Sequence, residues 1–383
     1  MDSITVFLER TFLIERLLGV LLYVIVIGFT YKSLRTAETY GQFKKTINTC
    51  LFILCVMAFF YVPAETADLY RIRINIESWE GMTFDDWTEE ILTNKKAPVA
   101  YYLYFLMSKI QIDGLLPAIT CFVAFSSIFH LLKEEKRVER SSSISLSLAF
   151  LFLMAQGTFL GIISGTRSGM AFTLVARAIY DDFLSVKKNI INYGICLIAV
   201  NLHIAVLPIV AIYLFFSICY SWHKNGIVMN TFFLMILVGA VYWYAPRIAE
   251  LSDMAITQAE VYSTTNVYSY VWERVIVTIS FAMLLAILWV YKKNYKNSSL
   301  KTIYVLASIL SLLIFLVIIS YTMFHRYANF LMYISIPLIA NCIEKEKENN
   351  QHELYSCIKI VSIFVFMLVC VRGDLCGYKF FLL

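Results

Sequence analysis

Charge is scarce in this chain. Asp, Glu, Lys and Arg make up only 15% of 383 residues, against roughly a quarter in a soluble domain. A water-soluble fold is thereby excluded, and the 60% hydrophobic content says the same from the other side. Long alternating stretches are also missing, so a membrane barrel built from strands of about ten residues is excluded as well. There is no D-x-D, no P-loop and no glycine-rich dinucleotide loop, and His352-Glu353 is not followed by the second histidine of a zinc-protease helix. Nucleotide-sugar, ATP and metallopeptidase chemistry lose their usual anchors. The nine cysteines are scattered without a C-x-x-C or a pair in a long loop, and toward the outer end only Cys370 and Cys376 fall near one another. Neither a metal site nor a disulfide framework follows from that spacing, and no cofactor is indicated. The N-terminal stretch lacks a small-residue cleavage site, which predicts a retained first helix.

What is present is a series of apolar runs, many close to the roughly 20 residues a helix needs to cross about 30 Å of hydrocarbon. They fall at about 17–31, 46–63, 98–110, 114–132, 144–165, 168–185, 189–201, 204–220, 227–245, 267–291, 302–320, 327–342 and 355–372. Runs such as Thr302 to Ser320 are apolar on every face, which makes them helices. The fold class is therefore an all-α integral membrane protein, a single domain over residues 1–383. Basic loops orient it: Lys32, Arg35, Lys44 and Lys45; Lys133, Lys136, Arg137 and Arg140; Lys187 and Lys188; Lys224; Lys292, Lys293, Lys296 and Lys301; Lys345 and Lys347. Under the positive-inside rule all of these are cytoplasmic. The net charge of +5 reflects this topology signal, not a nucleic-acid footprint.

Parity then decides two ambiguous segments. Loop 64–96 and the basic loop 133–140 lie on opposite sides only if an odd number of crossings separates them. The short run 98–110, which begins at Pro98, is therefore expected to be re-entrant or interfacial. The same reasoning divides 189–220 into two short helices that turn at Asn201, Leu202 and His203; a single helix kinked at Pro208 is the alternative. About twelve crossings plus the re-entrant segment result. Loops 64–96 and 246–266 become extracytoplasmic, as do the turns at Thr166 to Ser168, at His203 and at His325.

The charged and polar residues on that side are the functional candidates. Arg167 starts a helix, where a guanidinium can grip a diphosphate through paired hydrogen bonds or simply snorkel to the interface. Arg177 has Asp181 four residues on, which favours a structural ion pair. His203 can take a proton from a sugar hydroxyl or satisfy turn backbone. Glu273 and Arg274 form a charged pair whose burial in hydrocarbon is costly unless it faces a polar cavity. His325, Arg326 and Tyr327 read as a polar turn between two helices, with an interfacial anchor as the plainer role. Gly157, Gly161, Gly165 and Gly169 recur every fourth residue, a spacing for close helix packing.

The order of these pieces resembles the EpsG-like, Wzy-type polysaccharide polymerases of bacteria over roughly residues 60–340. The matching pieces are Asp68-Leu69-Tyr70-Arg71, Pro98 with Tyr101 and Tyr102, Thr166-Arg167-Ser168-Gly169-Met170-Ala171, Asn201-Leu202-His203 and His325-Arg326-Tyr327. The chain departs from the pattern at Ala97, where an acidic residue is expected, and at Ser168, where an amide is usual. The resemblance implies a GT-C-like polytopic glycosyltransferase of the bacterial inner membrane, with its active site facing the periplasm or exterior. It would join polyprenyl-diphosphate-linked oligosaccharide repeat units into an O-antigen or exopolysaccharide. Its expected partners are that substrate, membrane lipid and a chain-length regulator. On this reading His203 is the first choice of base, with His325 or Asp68 in reserve. Arg167, Arg274, Arg326 and Arg71, with Tyr70, Glu273 and Tyr327, would contact diphosphate or glycan. A flippase for the same lipid-linked glycans and an O-antigen-ligase-type transferase are the competing readings. The flippase predicts an internal repeat and midplane charges, and neither is evident in the sequence.

Overall fold

The computed structural model describes residues 3–63, 67–90, 97–155, 158–184, 190–225, 271–294, 300–316, 321–349 and 353–372. Among these residues the chain is helical and carries no β-strand. The helices are α1 (Ser3–Arg35), α2 (Tyr40–Phe59), α3 (Asp68–Ser78), α4 (Phe84–Glu90), α5 (Pro98–Ile110), α6 (Leu115–Arg137), α7 (Ser143–Met154) and α8 (Thr158–Ser164). They continue with α9 (Thr166–Leu184), α10 (Ile190–Leu202), a 3₁₀ turn (Ile204–Val206), α11 (Leu207–Asn225), α12 (Val271–Asn294), α13 (Lys301–Leu316), α14 (Tyr321–Glu348) and α15 (Glu353–Arg372). The expected segment 227–245 and loop 246–266 lie outside the described residues, as do Gly157 and Cys376.

Local chemistry sets several of these boundaries. Thr39 and Gln42 form a capping box at the start of α2: the Gln42 N–H donates to Thr39 Oγ1 at 3.2 Å and the Thr39 N–H to Gln42 Oε1 at 3.4 Å. Pro98 opens α5 at the position where its missing N–H has no intrahelical partner anyway. Gln111, with φ of 57°, closes the same helix in the left-handed region. By length and composition three described helices can cross a membrane: Tyr40–Phe59, Leu115–Arg137 and Val275–Lys292. Shorter apolar helices cover Ser143–Met154, Ile190–Leu202, Ile204–Ser217 and Lys301–Leu312. The chain is thus a helical membrane protein, and the expected count of about twelve crossings rests on the apolar runs themselves.

Side-chain links show that the bundle has two chemically different ends. At one end α7 is capped by the last turns of α14: Glu344 accepts from the Ser142 N–H at 3.0 Å, from Ser145 Oγ at 2.6 Å and from Ser142 Oγ. Two residues on, Glu346 accepts from the Leu354 and Tyr355 N–H groups at 3.1 and 3.0 Å and so caps α15. At this same end fully buried Glu135 accepts from the Tyr180 hydroxyl at 2.7 Å and pairs with Arg140 at 3.0 Å. Asp181 joins His130 at 2.7 Å and Arg177 at 3.7 Å, the pair expected from their spacing. The basic residues around Lys44, Lys133, Arg137, Arg140, Lys345 and Lys347 therefore collect at one end.

The described part of the expected loop 64–96, residues 67–90, lies at the opposite end and holds two helices, α3 and α4. Arg73 pins it by donating to the carbonyls of Tyr61, just after α2, and Asp113, just before α6, at 3.2 and 3.1 Å. Lys109 near the end of α5 donates to the carbonyls of Trp79, Glu80 and Met82 at 3.1, 2.7 and 2.7 Å. Gln111 also donates to Glu80. Trp87 of α4 lies against Phe105 of α5, with centroids 4.6 Å apart. α5 thus packs along its length against α3, α4 and the residues between them, with Tyr101 beside Trp79, Tyr102 beside Trp87 and Lys109 on the carbonyls of Trp79 to Met82.

Three expectations need correction. The run 144–165 is two helices, α7 and α8, and α9 begins after a break at Gly165, so Thr166 to Ser168 form a first helical turn and not a loop. The described members of the glycine stripe consequently do not share one helix face. Gly169 is nevertheless packed closely, since a Cβ there would meet the Ile162 carbonyl oxygen of α8 at 2.7 Å. Finally, His325, Arg326 and Tyr327 are not a turn. α14 starts at Tyr321 and carries them in its first two turns, where Asn329 Nδ2 lies 3.2 Å from His325 Nε2 across one turn. Polar residues mark a helix end as readily as a loop when the end meets water or a polar cavity, so composition alone misplaced the boundary.

Candidate active site

The chain doubles back at His203, which has extended backbone (φ −155°, ψ 112°) between α10 and the 3₁₀ turn. α10 and α11 are antiparallel: Tyr193 stacks on Tyr213 with centroids 6.2 Å apart, and its hydroxyl lies 3.1 Å from Ser217 Oγ. These partners stand about equally far before and after the turn. His203 is therefore held at the tip of a hairpin, at the end of the bundle where α9 and α14 begin.

Arg326 Nη1 lies 3.2 Å from His203 Nε2. Tyr327 donates its hydroxyl to the Ala205 carbonyl at 3.1 Å, fixing the start of α14 to the same turn. Phe172 of α9 forms a floor beneath them, with ring centroids 6.4 Å from His203 and 6.0 Å from both Tyr327 and Phe330. Arg167, in the first turn of α9, lies over the Tyr101 ring with its guanidinium carbon 5.9 Å from the centroid. One residue earlier, Thr166 Oγ1 is 2.7 Å from the buried Tyr104 hydroxyl. Burial, and after it the charges of Arg326 and Arg167, push the His203 pKa down to about 3, so the imidazole is neutral. Because a guanidinium has no acceptor, His203 Nε2 accepts from Arg326 and the ring proton belongs on Nδ1.

Of the residues singled out in the sequence, Arg167, His203, Arg326 and Tyr327 converge here from α9, the α10–α11 turn and α14. His325 shares the first turns of α14 but faces α8, where a Cβ on Gly161 would lie 4.0 Å from its Cε1. Asp68 and Arg71 lie on α3 with their side chains 3.9 Å apart and 59% and 69% exposed; they form a rim, with Tyr70 half-buried between them. Asp68 and Arg167 both reach the Tyr104 phenol electrostatically. Glu273 and Arg274 occupy the first turn of α12, and their side chains lie outside the described residues. Arg177 is at the opposite end.

Tyr104 and Phe172 belong to the site and were not singled out by sequence, and Thr166, named there only as part of the Thr166 to Ala171 piece, joins them. Tyr101 and Tyr104, three residues apart, share the face of α5 that meets Arg167, whereas Tyr102 turns outward toward Phe84, with centroids 6.3 Å apart. The helical spacing was the available signal. Among the described residues no group of three or more His, Cys, Asp or Glu is arranged to hold a metal.

A bundle of apolar helices with a cationic, histidine-bearing cluster at one end and basic loops at the other defines a polytopic membrane protein. The chain belongs to the EpsG family, whose model matches residues 83–381. In class it is a polysaccharide polymerase. Asp68 and Arg71 precede the matched residues. No curated protein and no solved structure matches the chain.

Proposed function

We propose that this polymerase joins polyprenyl-diphosphate-linked oligosaccharide repeat units on the extracytoplasmic side of the bacterial inner membrane. The observation that carries this reading is the meeting of Arg167, His203 and Arg326 from three separate elements, at the end opposite the basic loops. A lipid-linked donor brings its own activated leaving group, so the protein needs only to hold diphosphate charge and to receive one proton.

In the reaction the acceptor hydroxyl oxygen attacks the donor's anomeric carbon, and the bond from that carbon to the diphosphate oxygen breaks. The diphosphate, which already carries two negative charges, gains a third as its oxygen keeps the electron pair of the broken bond, and this charge falls to Arg167 and Arg326, in a site where fixed cations are worth more than in water. The hydroxyl proton passes to a base. His203 is a poor base while Arg326 occupies Nε2. When the diphosphate draws the guanidinium away, Nε2 regains its lone pair, and one cationic neighbour that depressed its basicity is neutralised. Base and leaving-group binder are thereby coupled. Asp68, on the exposed rim, is the reserve acceptor, and Arg71 is available to the glycan.

The test is a deletion strain complemented with Arg167→Ala, His203→Ala or Arg326→Ala, with polymer length as the readout. The reading requires loss of long polymer in each. Wild-type length distributions in all three would discard the site. Reconstitution with lipid-linked repeat units distinguishes the competitors: a flippase moves substrate without lengthening it, and a ligase transfers it only when a non-polymer acceptor is supplied.

A further inference from the structure

A second cationic feature lies at the opposite end of the bundle and plays no part in the proposed reaction. Gly41, Lys44, Lys45, Asn48, Thr49 and Phe52 of α2 line a shallow groove. Lys133 of α6 stands beside it, its ammonium 3.5 Å from Asn48 Oδ1. Lys133 also stands close enough to Lys44 and Arg177 for their like charges to act on it. The nearby carboxylates are engaged elsewhere, Asp181 with His130 and Arg177, and Glu134 with Arg137. Among the described residues no carboxylate forms an ion pair with Lys44, Lys45 or Lys133.

The same face of α2 changes character along its length. Beyond Phe52, which is 69% exposed, it continues through Val56 and Phe59, 38% and 39% exposed. These three recur at helical spacing, and α2 is one of the three described helices able to cross a membrane. At 1.5 Å per residue, Phe52 and Val56 lie about 12 and 18 Å along the axis from Lys44. One leaflet contributes about 15 Å of hydrocarbon. A cationic head and an apolar track of that length, on one face, match the shape of a single lipid.

We propose that this groove is a binding site for an anionic phospholipid, with its phosphate held by Lys44, Lys45 and Lys133 and an acyl chain laid along Phe52 and Val56. Clustered like charges are stabilised by an anion, whereas a zwitterionic choline headgroup would bring a further cation to them. The proposal is independent of the polymerase reading, since none of these residues touches the candidate active site.

The test uses purified full-length protein reconstituted in nanodiscs of equal phosphatidylglycerol and phosphatidylcholine, then released and weighed by native mass spectrometry. Wild type should retain phosphatidylglycerol at least tenfold over phosphatidylcholine. The triple variant Lys44→Gln, Lys45→Gln, Lys133→Gln should fall to near parity. A control removing three other lysines of the same end, Lys136→Gln, Lys345→Gln and Lys347→Gln, should behave as wild type. Phe52→Glu, at an exposed position, provides a second probe should the triple variant fold poorly, and it too should lose the lipid. Equal retention in wild type and both groove variants would overturn the proposal. So would displacement of the bound species by inorganic phosphate alone, which would make this a site for free anions.

Discussion

Arg326 reaches His203 across 123 residues of chain, placing a guanidinium 3.2 Å from an imidazole nitrogen that has no proton to give it. The contact defines the resting state of the candidate site, since the nitrogen best placed to take a proton is already engaged. It makes the chemistry of one residue conditional on the position of the other.

Arg326→Lys keeps the charge but removes the planar fork that can serve both His203 and a diphosphate. Polymerisation by the reconstituted variant should drop about tenfold or more, a loss of about 1.4 kcal/mol or more in transition-state stabilisation, with the melting midpoint close to wild type. Tyr327→Phe, which loses only the hydrogen bond to Ala205, should cost about 1 kcal/mol of stability and leave the rate within a few-fold. Assaying the two side by side separates chemistry from anchoring.

The depressed His203 pKa has a definite sign. The imidazole is neutral in the fold, and an unfolded histidine titrates near 6.5. As pH falls from about 6.5 toward 3, the unfolded chain binds a proton that the folded chain does not, so stability declines through that window. Thermal melts at pH 7.5 and 5 should show this decline, and His203→Gln should reduce its slope. An unchanged slope in the variant would place the acid sensitivity elsewhere.

Gly169 is the point where α9 crosses α8. A Cβ there would meet the Ile162 carbonyl oxygen at 2.7 Å and the Ile162 Cα at 3.0 Å, backbone that cannot rotate away. Gly169→Ala should lower the melting midpoint and, by displacing the start of α9, move Arg167 and reduce polymer synthesis. Gly194→Ala, where a Cβ meets nothing within 4 Å, should be silent in both assays.

Glu344 ties the far end of α14 to α7. Burial alone would raise its pKa, but hydrogen bonds from Ser142 and Ser145 outweigh that effect and hold the carboxyl below its usual value. Its contribution is therefore present above about pH 4.5 and is lost as pH falls through the depressed folded value. Glu344→Ala should cost about 1–3 kcal/mol by leaving the cap of α7 unsatisfied. The effect is read as a fall in melting midpoint at neutral pH that shrinks at low pH.

Much of the architecture was legible from residues alone. Apolar runs identify helices because hydrocarbon tolerates no unpaired backbone, and the basic loops sorted those helices into two ends before any contact was known. Parity makes α5 a re-entrant segment by expectation, and the structure ties its C-terminal side to α3 and the residues that follow it through Lys109 and Arg73. Boundaries were harder. The break at Gly165 and the helical state of His325 to Tyr327 depend on packing against α8 and the His203 turn, and hydropathy carries no record of that.

The sequence by itself determined that this is a helical membrane protein, with basic loops at one end and the pieces that hold Arg167, His203 and Arg326 at the other. That follows from composition and order, which act through solvation and need no partner. Which residues meet was decided only by tertiary structure. Arg326 stands beside His203, Tyr104 rather than Tyr102 meets the start of α9, and His325 turns toward Gly161. Those choices come from the rotation of each helix about its axis, at 100° per residue. In a bilayer, where lipid is as apolar as a side chain, that rotation is set by close packing and polar contacts between helices and not by hydrophobicity.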